Sequence, residues 1–336
     1  MSKCEVKILF DRPDGIYKFG EAIAGVVQVA AHADFHSRQI TLIRGWKTHG
    51  RGNIASGGEE GLILADAAEF KAGETREYPF RFAGLAGPVS YQGYYLSVEW
   101  HARAHLDIPL AVDVKQEEKF ILAGGETSQE ILLGTGEEAK IDSKISSELE
   151  GRIAMAKVLG VPFFIIGLAM IYFSEWYPLT LALGLAATGF GGWQIFLMLR
   201  NKLARQKLGE IEVRLHPDKL RPGNQLKCSV VLPSSHAERL QKITATLIGE
   251  ERVVSGAGNH KMVHTHKIHE QVMEETTHQA VDNANKLQFN LPLQLPAEAP
   301  STFRAPDNAL FWFVRVHCDI RGWPDWVQEF PITVMP

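Results

Sequence analysis

The residues best equipped for chemistry are the histidines, and they are not spread evenly. His260, His264, His266 and His269 fall within ten residues, with His278 just beyond. Side chains on a strand repeat every two residues, so His260, His264 and His266 share one face. Imidazole is a ligand for zinc, copper or nickel, and it changes charge near neutral pH. Two readings stand side by side. One is a solvated strand near a sheet edge. The other is a metal-binding or pH-responsive segment using His260, His264, His266 and His269. Ligands on one flat strand leave a tetrahedral shell open unless a neighbouring element contributes.

A second constellation occurs twice, as Arg103-Ala-His105-Leu-Asp107 and Arg315-Val-His317-Cys-Asp319. Alternation puts Arg, His and Asp on one face. Ala102, Ala104 and Leu106, or Val314, Val316 and Cys318, point the other way, toward a core. The charged face predicts cross-strand ion pairs; a repeated ligand groove is the alternative.

The remaining motifs of catalysis are missing or broken. There is no G-x-S-x-G elbow and no G-x-x-x-x-G-K-[ST] loop. Gly134-Thr-Gly136-Glu-Glu-Ala139 imitates a G-x-G-x-x-A turn, but Glu137 and Glu138 put negative charge where a pyrophosphate must sit. His269-Glu270 begins like H-E-x-x-H, yet position 273 is Met. Cys4, Cys228 and Cys318 form no C-x-x-C and cannot all pair. They read as reduced thiols in a reducing compartment. The expectation is a non-enzyme with no cofactor. With 35 Lys+Arg against 39 Asp+Glu, a net charge of -4, the basic surface that nucleic acid requires is absent as well.

The elements that must carry these residues are marked by hydropathy. From Val158 to Leu199 the only charge is Glu175. The stretch divides into Ile153–Phe173 and Leu179–Leu199, each about the 20 residues needed to span a bilayer. Ser174-Glu-Trp-Tyr-Pro178 makes the reversal. Arg152 and Lys157 flank the first span, and Arg200, Lys202, Arg205 and Lys207 follow the second. The positive-inside rule then places both outer ends, and both termini, in the cytoplasm. The expected location is integral to an inner or plasma membrane. Ala182/Ala186 and Thr188/Gly192 are small residues at helical spacing, suited to close helix approach.

Both flanks are broken by Gly, Pro and Asn into short runs of alternating apolar residues, as in Val6, Ile8, Phe10 and Ile211, Val213, Leu215. Such runs predict sandwiches or barrels. The flanks also repeat one another. Tyr17-x-x-Gly20-x-x-Ile23-x-Gly25-x-Val27 matches Leu220-x-x-Gly223-x-x-Leu226-x-Cys228-x-Val230. ITLIRG ending at Gly45 matches TATLIG ending at Gly249, and the two Arg-x-His-x-Asp strands follow in the same order. If the halves are copies, Gly20 should superpose on Gly223, Gly45 on Gly249 and His105 on His317. Ile141, Ile145, Leu149 and Ile153 recur every four residues, predicting a helix that runs into the first span.

Four segments resemble the arrestin-like superfamily in their order: Tyr17–Val27, Ile40–Gly45, Tyr78-Pro-Phe80-Arg-Phe82 and Pro88-Val-Ser90-Tyr91-Gln-Gly93. The strand Tyr95–Leu106 continues the match, and Pro300-Ser301-Thr-Phe303 is its diverged counterpart in the second copy. The resemblance implies an all-β fold of two arrestin-like β-sandwiches, at 1-124 and 208-336. A polar linker or helix at 125-152 and a transmembrane hairpin at 153-199 lie between them. It also implies an adaptor or scaffold that binds other proteins. The expected partners are the lipid bilayer and one or more proteins.

Overall fold

In the computed structural model the described residues are 3–85, 87–109, 113–124, 160–173, 177–208, 211–217, 219–233, 239–276, 281–283 and 286–336. The linker helix expected at 125-152, the Gly134–Ala139 turn and residues 153–159 of the first apolar span lie outside them.

The strands before the apolar stretch are β1 (Cys4–Phe10), β2 (Ile16–Lys18), β3 (Ile23–Ala31), β4 (Phe35–Ser37), β5 (Gln39–Gly50), β6 (Ser56–Ala65), β7 (Ala68–Phe70), β8 (Thr75–Phe82), β9 (Tyr91–Gln92), β10 (Leu96–Asp107) and β11 (Val114–Ala123). Those after it are β12 (Glu212–His216), β13 (Lys219–Leu220), β14 (Gln225–Pro233), β15 (Leu240–Ser255), β16 (Met262–Thr276), β17 (Val281–Asn283), β18 (Lys286–Gln294), β19 (Phe303–Ala305), β20 (Asn308–Ile320) and β21 (Trp326–Val334).

The first set forms a sheet β1-β3-β8 facing a sheet β2-β11-β10-β5-β6, with β9 beside β10. The second forms β12-β14-β18-β17 facing β13-β21-β20-β15-β16, with β19 beside β20. β4 and β7 pair separately. Apart from β17, the two strand orders are the same. Even the parallel pairs recur, β2 with β11 and β13 with β21. Alternation explains the layering: Val6, Ile8, Val27 and Phe80 from one sheet meet Leu42, Trp100, Ala104 and Phe120 from the other. In the second half Leu226, Cys228 and Val230 meet Leu247, Val314 and Val316.

The duplication extends to single hydrogen bonds. The buried Trp100 Nε1 donates to Pro88 O at 2.7 Å, and the buried Trp312 Nε1 donates to Pro300 O at 3.0 Å. The Ser90 hydroxyl accepts from Leu122 N, and the Thr302 hydroxyl from Val334 N. Gly20 and Gly223 occupy equivalent turns with φ of 77° and 81°, a region costly for any residue with a Cβ. The expected match of Gly45 with Gly249 is off by one residue. His105 pairs with Thr41 and His317 with Thr244. Counting along the strands from those pairs, Gly249 stands where Trp46 stands in the first copy. Register follows the buried face, not the glycine. Gly249 leaves room for the Trp312 ring, which a Cβ there would meet at 2.8 Å.

The apolar stretch forms α1 (Gly160–Tyr172) and α2 (Pro178–Leu208), and Ser174, Glu175 and Trp176 of the expected reversal lie outside the described residues. The pair is antiparallel. Gly160 lies against Gly191 and Gln194, Gly191 against Phe164, and Gly167 against Gly184 and Thr188. These glycines, spaced by seven, bring the two backbones into contact. Of the small residues singled out from the sequence, Thr188 faces α1 while Ala182 and Ala186 face outward. Among the described residues, α2 alone is long and apolar enough to cross a membrane. Only 11% of its apolar window, Pro178–Phe196, is buried.

Candidate functional site

The histidine strand does not form the flat row its spacing suggests. His260 sits in a short 3-10 turn before β16. His264 pairs with Val253 and His266 with Glu251, and then the register slips, so that His269 pairs with Gly249. This bulge at Ile268 moves His269 to the same face as His264 and His266. The face is half-buried, not solvated. Among the described residues, no three His, Cys, Asp or Glu side chains gather into a set that could hold a metal ion.

The histidines instead meet the first sandwich. The Tyr94 ring lies 4.5 Å from His266. The Tyr95 ring lies 6.0 Å from His264 and 5.9 Å from His266, with the Arg51 guanidinium over its face. His264 Nε2 is also 3.0 Å from the Ser255 hydroxyl. His269 packs on Trp312 instead, and its Nε2 is buried without a hydrogen-bond partner.

At the centre of this junction is Glu251, which is 0% exposed. Its carboxylate accepts from the Tyr91 hydroxyl at 2.6 Å, Tyr94 N at 3.0 Å and Tyr95 N at 2.7 Å. A buried carboxylate is tolerated only when its lone pairs are met this fully. Gly93 belongs to the same design, because a Cβ there would strike Glu251. Burial first, then the neighbouring carboxylate, pushes the Tyr91 hydroxyl up, so it stays a donor. A second polar knot lies beside it. Asn53 Nδ2 donates to Asp307 Oδ2 and to Gly256 O, both at 2.9 Å, while the buried Asn308 donates to Asn53 O at 2.6 Å. Asp307 holds a left-handed φ of 60° to do this. Leu96 and Val98 of β10 join the second sandwich's core, and Trp46 meets Phe303. Chemically, this arrangement fixes the angle between the two sandwiches.

Glu251 and Tyr94/Tyr95 escaped the sequence reading, although one signal was present. An acid at the inward parity of β15, between Gly249 and Val253, has to be satisfied by something. The repeated Arg-x-His-x-Asp strands do present a half-exposed charged face with Ala102, Ala104, Leu106, Val314, Val316 and Cys318 buried behind. Their histidines, however, bind acids from the next turn: His105 with Asp113 and His317 with Asp325, each at 3.0 Å. The cross-strand pair Arg315–Glu329 forms at 2.8 Å.

Burial holds the imidazoles of His269 and His101 below the ordinary histidine value of 6.5. The unfolded chain therefore takes up these protons first as pH falls. Stability is expected to be full above about pH 6.5 and to decline as pH drops toward the folded-state values. Thermal melts of His269→Gln should show a shallower acid decline than the parent; an unchanged slope would remove His269 as its source.

No protein-family model and no curated protein matches the sequence. Among solved structures, the chain is similar to the crystal structure of the sporulation control protein Spo0M from Bacillus subtilis, with 13% sequence identity and a TM-score of 0.33, covering 69% of this chain and 80% of that one.

Proposed function

We propose that this protein is a membrane-anchored adaptor: two arrestin-like sandwiches, held at a set angle, bind other proteins beside a bilayer into which the hairpin inserts. The observation that carries the reading is the hairpin's inside-out character. Gly160, Gly167, Gly184 and Gly191 face inward, while Phe163, Ile165, Leu183, Leu185, Phe190 and Trp193 are exposed. Helices apolar all round have hydrocarbon as their natural solvent. Aromatic residues stand at the ends, Tyr172, Phe173 and Tyr177 at the reversal and Trp193 and Phe196 toward the other boundary, as an interfacial belt requires. By the positive-inside rule, the basic residues flanking the apolar stretch support a topology with both sandwiches on the cytoplasmic side.

For the adaptor role, the support is the resemblance in motif order together with an open edge. Among the described residues β1 pairs only with β3. Beside it runs a groove of about 450 Å³, lined by Cys4–Leu9 and by Val114, Gln116 and Glu118 of β11. An extended segment of a partner could add there as a further strand.

The test is fractionation of cells expressing the full chain. The protein should stay in the pellet through a carbonate wash, and reporters at Met1 and Pro336 should both read cytoplasm. Release by carbonate, or termini on opposite sides, would sink the hairpin reading.

A further inference from the structure

Resting on that membrane reading, we infer that the β20–β21 turn of the second sandwich, through Arg321 and Trp323, docks on an anionic lipid surface. The apolar window of α2 ends at Phe196, but the helix continues to Leu208. At 1.5 Å per residue that is about 18 Å more helix. β12 starts only three residues beyond, at Glu212. The helix is not a free stalk, because it lies against β21. The second sandwich is therefore strapped close to the bilayer, and topology decides which of its ends faces up.

β12 runs into β13, which pairs in parallel with the last residues of β21, Lys219 with Thr333 and Leu220 with Val334. The start of β12, where α2 delivers the chain, accordingly lies toward the start of β21. The first sandwich displays the same geometry: β1 and β11 flank one groove, and Phe10, the last residue of β1, sits 5.6 Å from Phe120. The start of β21 is the end of the β20–β21 turn. The opposite end carries the Pro296–Ala297 turn, where Gly223 N donates to Pro296 O.

The chemistry of the turn suits a lipid headgroup layer. Trp323 is 38% exposed, and indole prefers the interface. Arg321 is exposed, and its backbone bonds to the carbonyl of the exposed Arg239. The one acid in the turn is half-exposed but engaged within the fold: Asp325 Oδ2 meets His317 Nε2 at 3.0 Å, and Oδ1 accepts from Ile320 N at 3.2 Å. The other charge of the turn is the cation of Arg321. Lys286 is also exposed at this end, because it pairs with Pro233. Phosphate-rich anionic leaflets attract each such charge by about 1 kcal/mol, roughly fivefold in a docking equilibrium.

The experiment uses the full chain in vesicles of phosphatidylcholine with or without phosphatidylserine. Gln241→Cys, exposed beside the turn, and Ala297→Cys, exposed at the far end, each carry an environment-sensitive fluorophore. The native thiols interfere little, since burial pushes Cys228 and Cys318 up to about 12. Headgroup-attached nitroxide lipids should quench position 241 and spare 297. Arg321→Gln should lower the docked-to-undocked ratio about fivefold, omitting phosphatidylserine should lower it more than that single variant does, and Trp323→Ser should weaken quenching further. Equal quenching at both positions, none at 241, or indifference to Arg321→Gln, in protein that resists carbonate, overturns the docking. Protein released by carbonate overturns the membrane reading itself.

Discussion

Replacing Glu251 with alanine is expected to unfasten the two sandwiches. The substitution strands a tyrosine hydroxyl and two backbone N–H groups in a place without solvent. Each unmet buried donor costs about 1–3 kcal/mol, so the total is about 3 kcal/mol or more. Unfolding of the detergent-solubilised chain should then split into two steps, and Trp46 at the junction should report the earlier one. Tyr91→Phe removes a single bond and should cost about 1 kcal/mol. If both variants melt like the parent, the carboxylate is not what holds the halves together.

The second large effect belongs to the hairpin. Gly167→Leu places carbon against the backbone of Thr188 and within 2.8 Å of Gly184 O. The neighbours are main chain and cannot swing aside, so α1 and α2 must separate. Overpacking of this kind costs about 1–3 kcal/mol, with the interhelical contacts of Gly160 and Gly191 disturbed as well. The yield of membrane-fraction protein should fall several-fold by about that free energy. Gly189→Ala, on the outward side of α2, meets nothing within 4 Å and should behave as the parent. Equal losses from both variants would mean that the helices do not pack through this face.

Much of the architecture was legible in the chain because it is written in period-two alternation. Val6/Ile8 and Leu226/Cys228/Val230 point inward as their spacing requires. The duplicated order survives because moving a strand by one residue would expose its whole buried set. What alternation cannot reveal is a slip. Ile268 interrupts the count on β16, and so His269 changes face. The one-residue disagreement between Gly45 and Gly249 has a similar origin: identical letters were matched where buried faces should have been. The junction was harder still. Glu251 and Tyr91 are 160 residues apart, and nothing local announces that a carboxylate on one strand will receive donors from a turn in the other half. The hairpin's apolar length was plain, yet which small residues face the partner helix depends on rotation about the axis. That selected Gly167, Gly184 and Gly191 over Ala182 and Ala186.

Among the described residues each half closes its sheets with its own strands, and none is borrowed across the apolar stretch. The consequence lies in the order of events during synthesis. By Ala123 the ribosome has delivered every strand the first sandwich needs, before any hydrophobic helix emerges. Domains fold as units, amino-terminal first, so the first sandwich can bury its core while the apolar helices are still to be made. The second waits until α2 has been made. The contact between Glu251 and the Tyr91–Tyr95 turn has to be made last, between two surfaces already shaped. A chain arrested after the hairpin should therefore present a finished first sandwich whose tyrosine turn is uncovered, a state open to chaperones for as long as translation of the second half lasts.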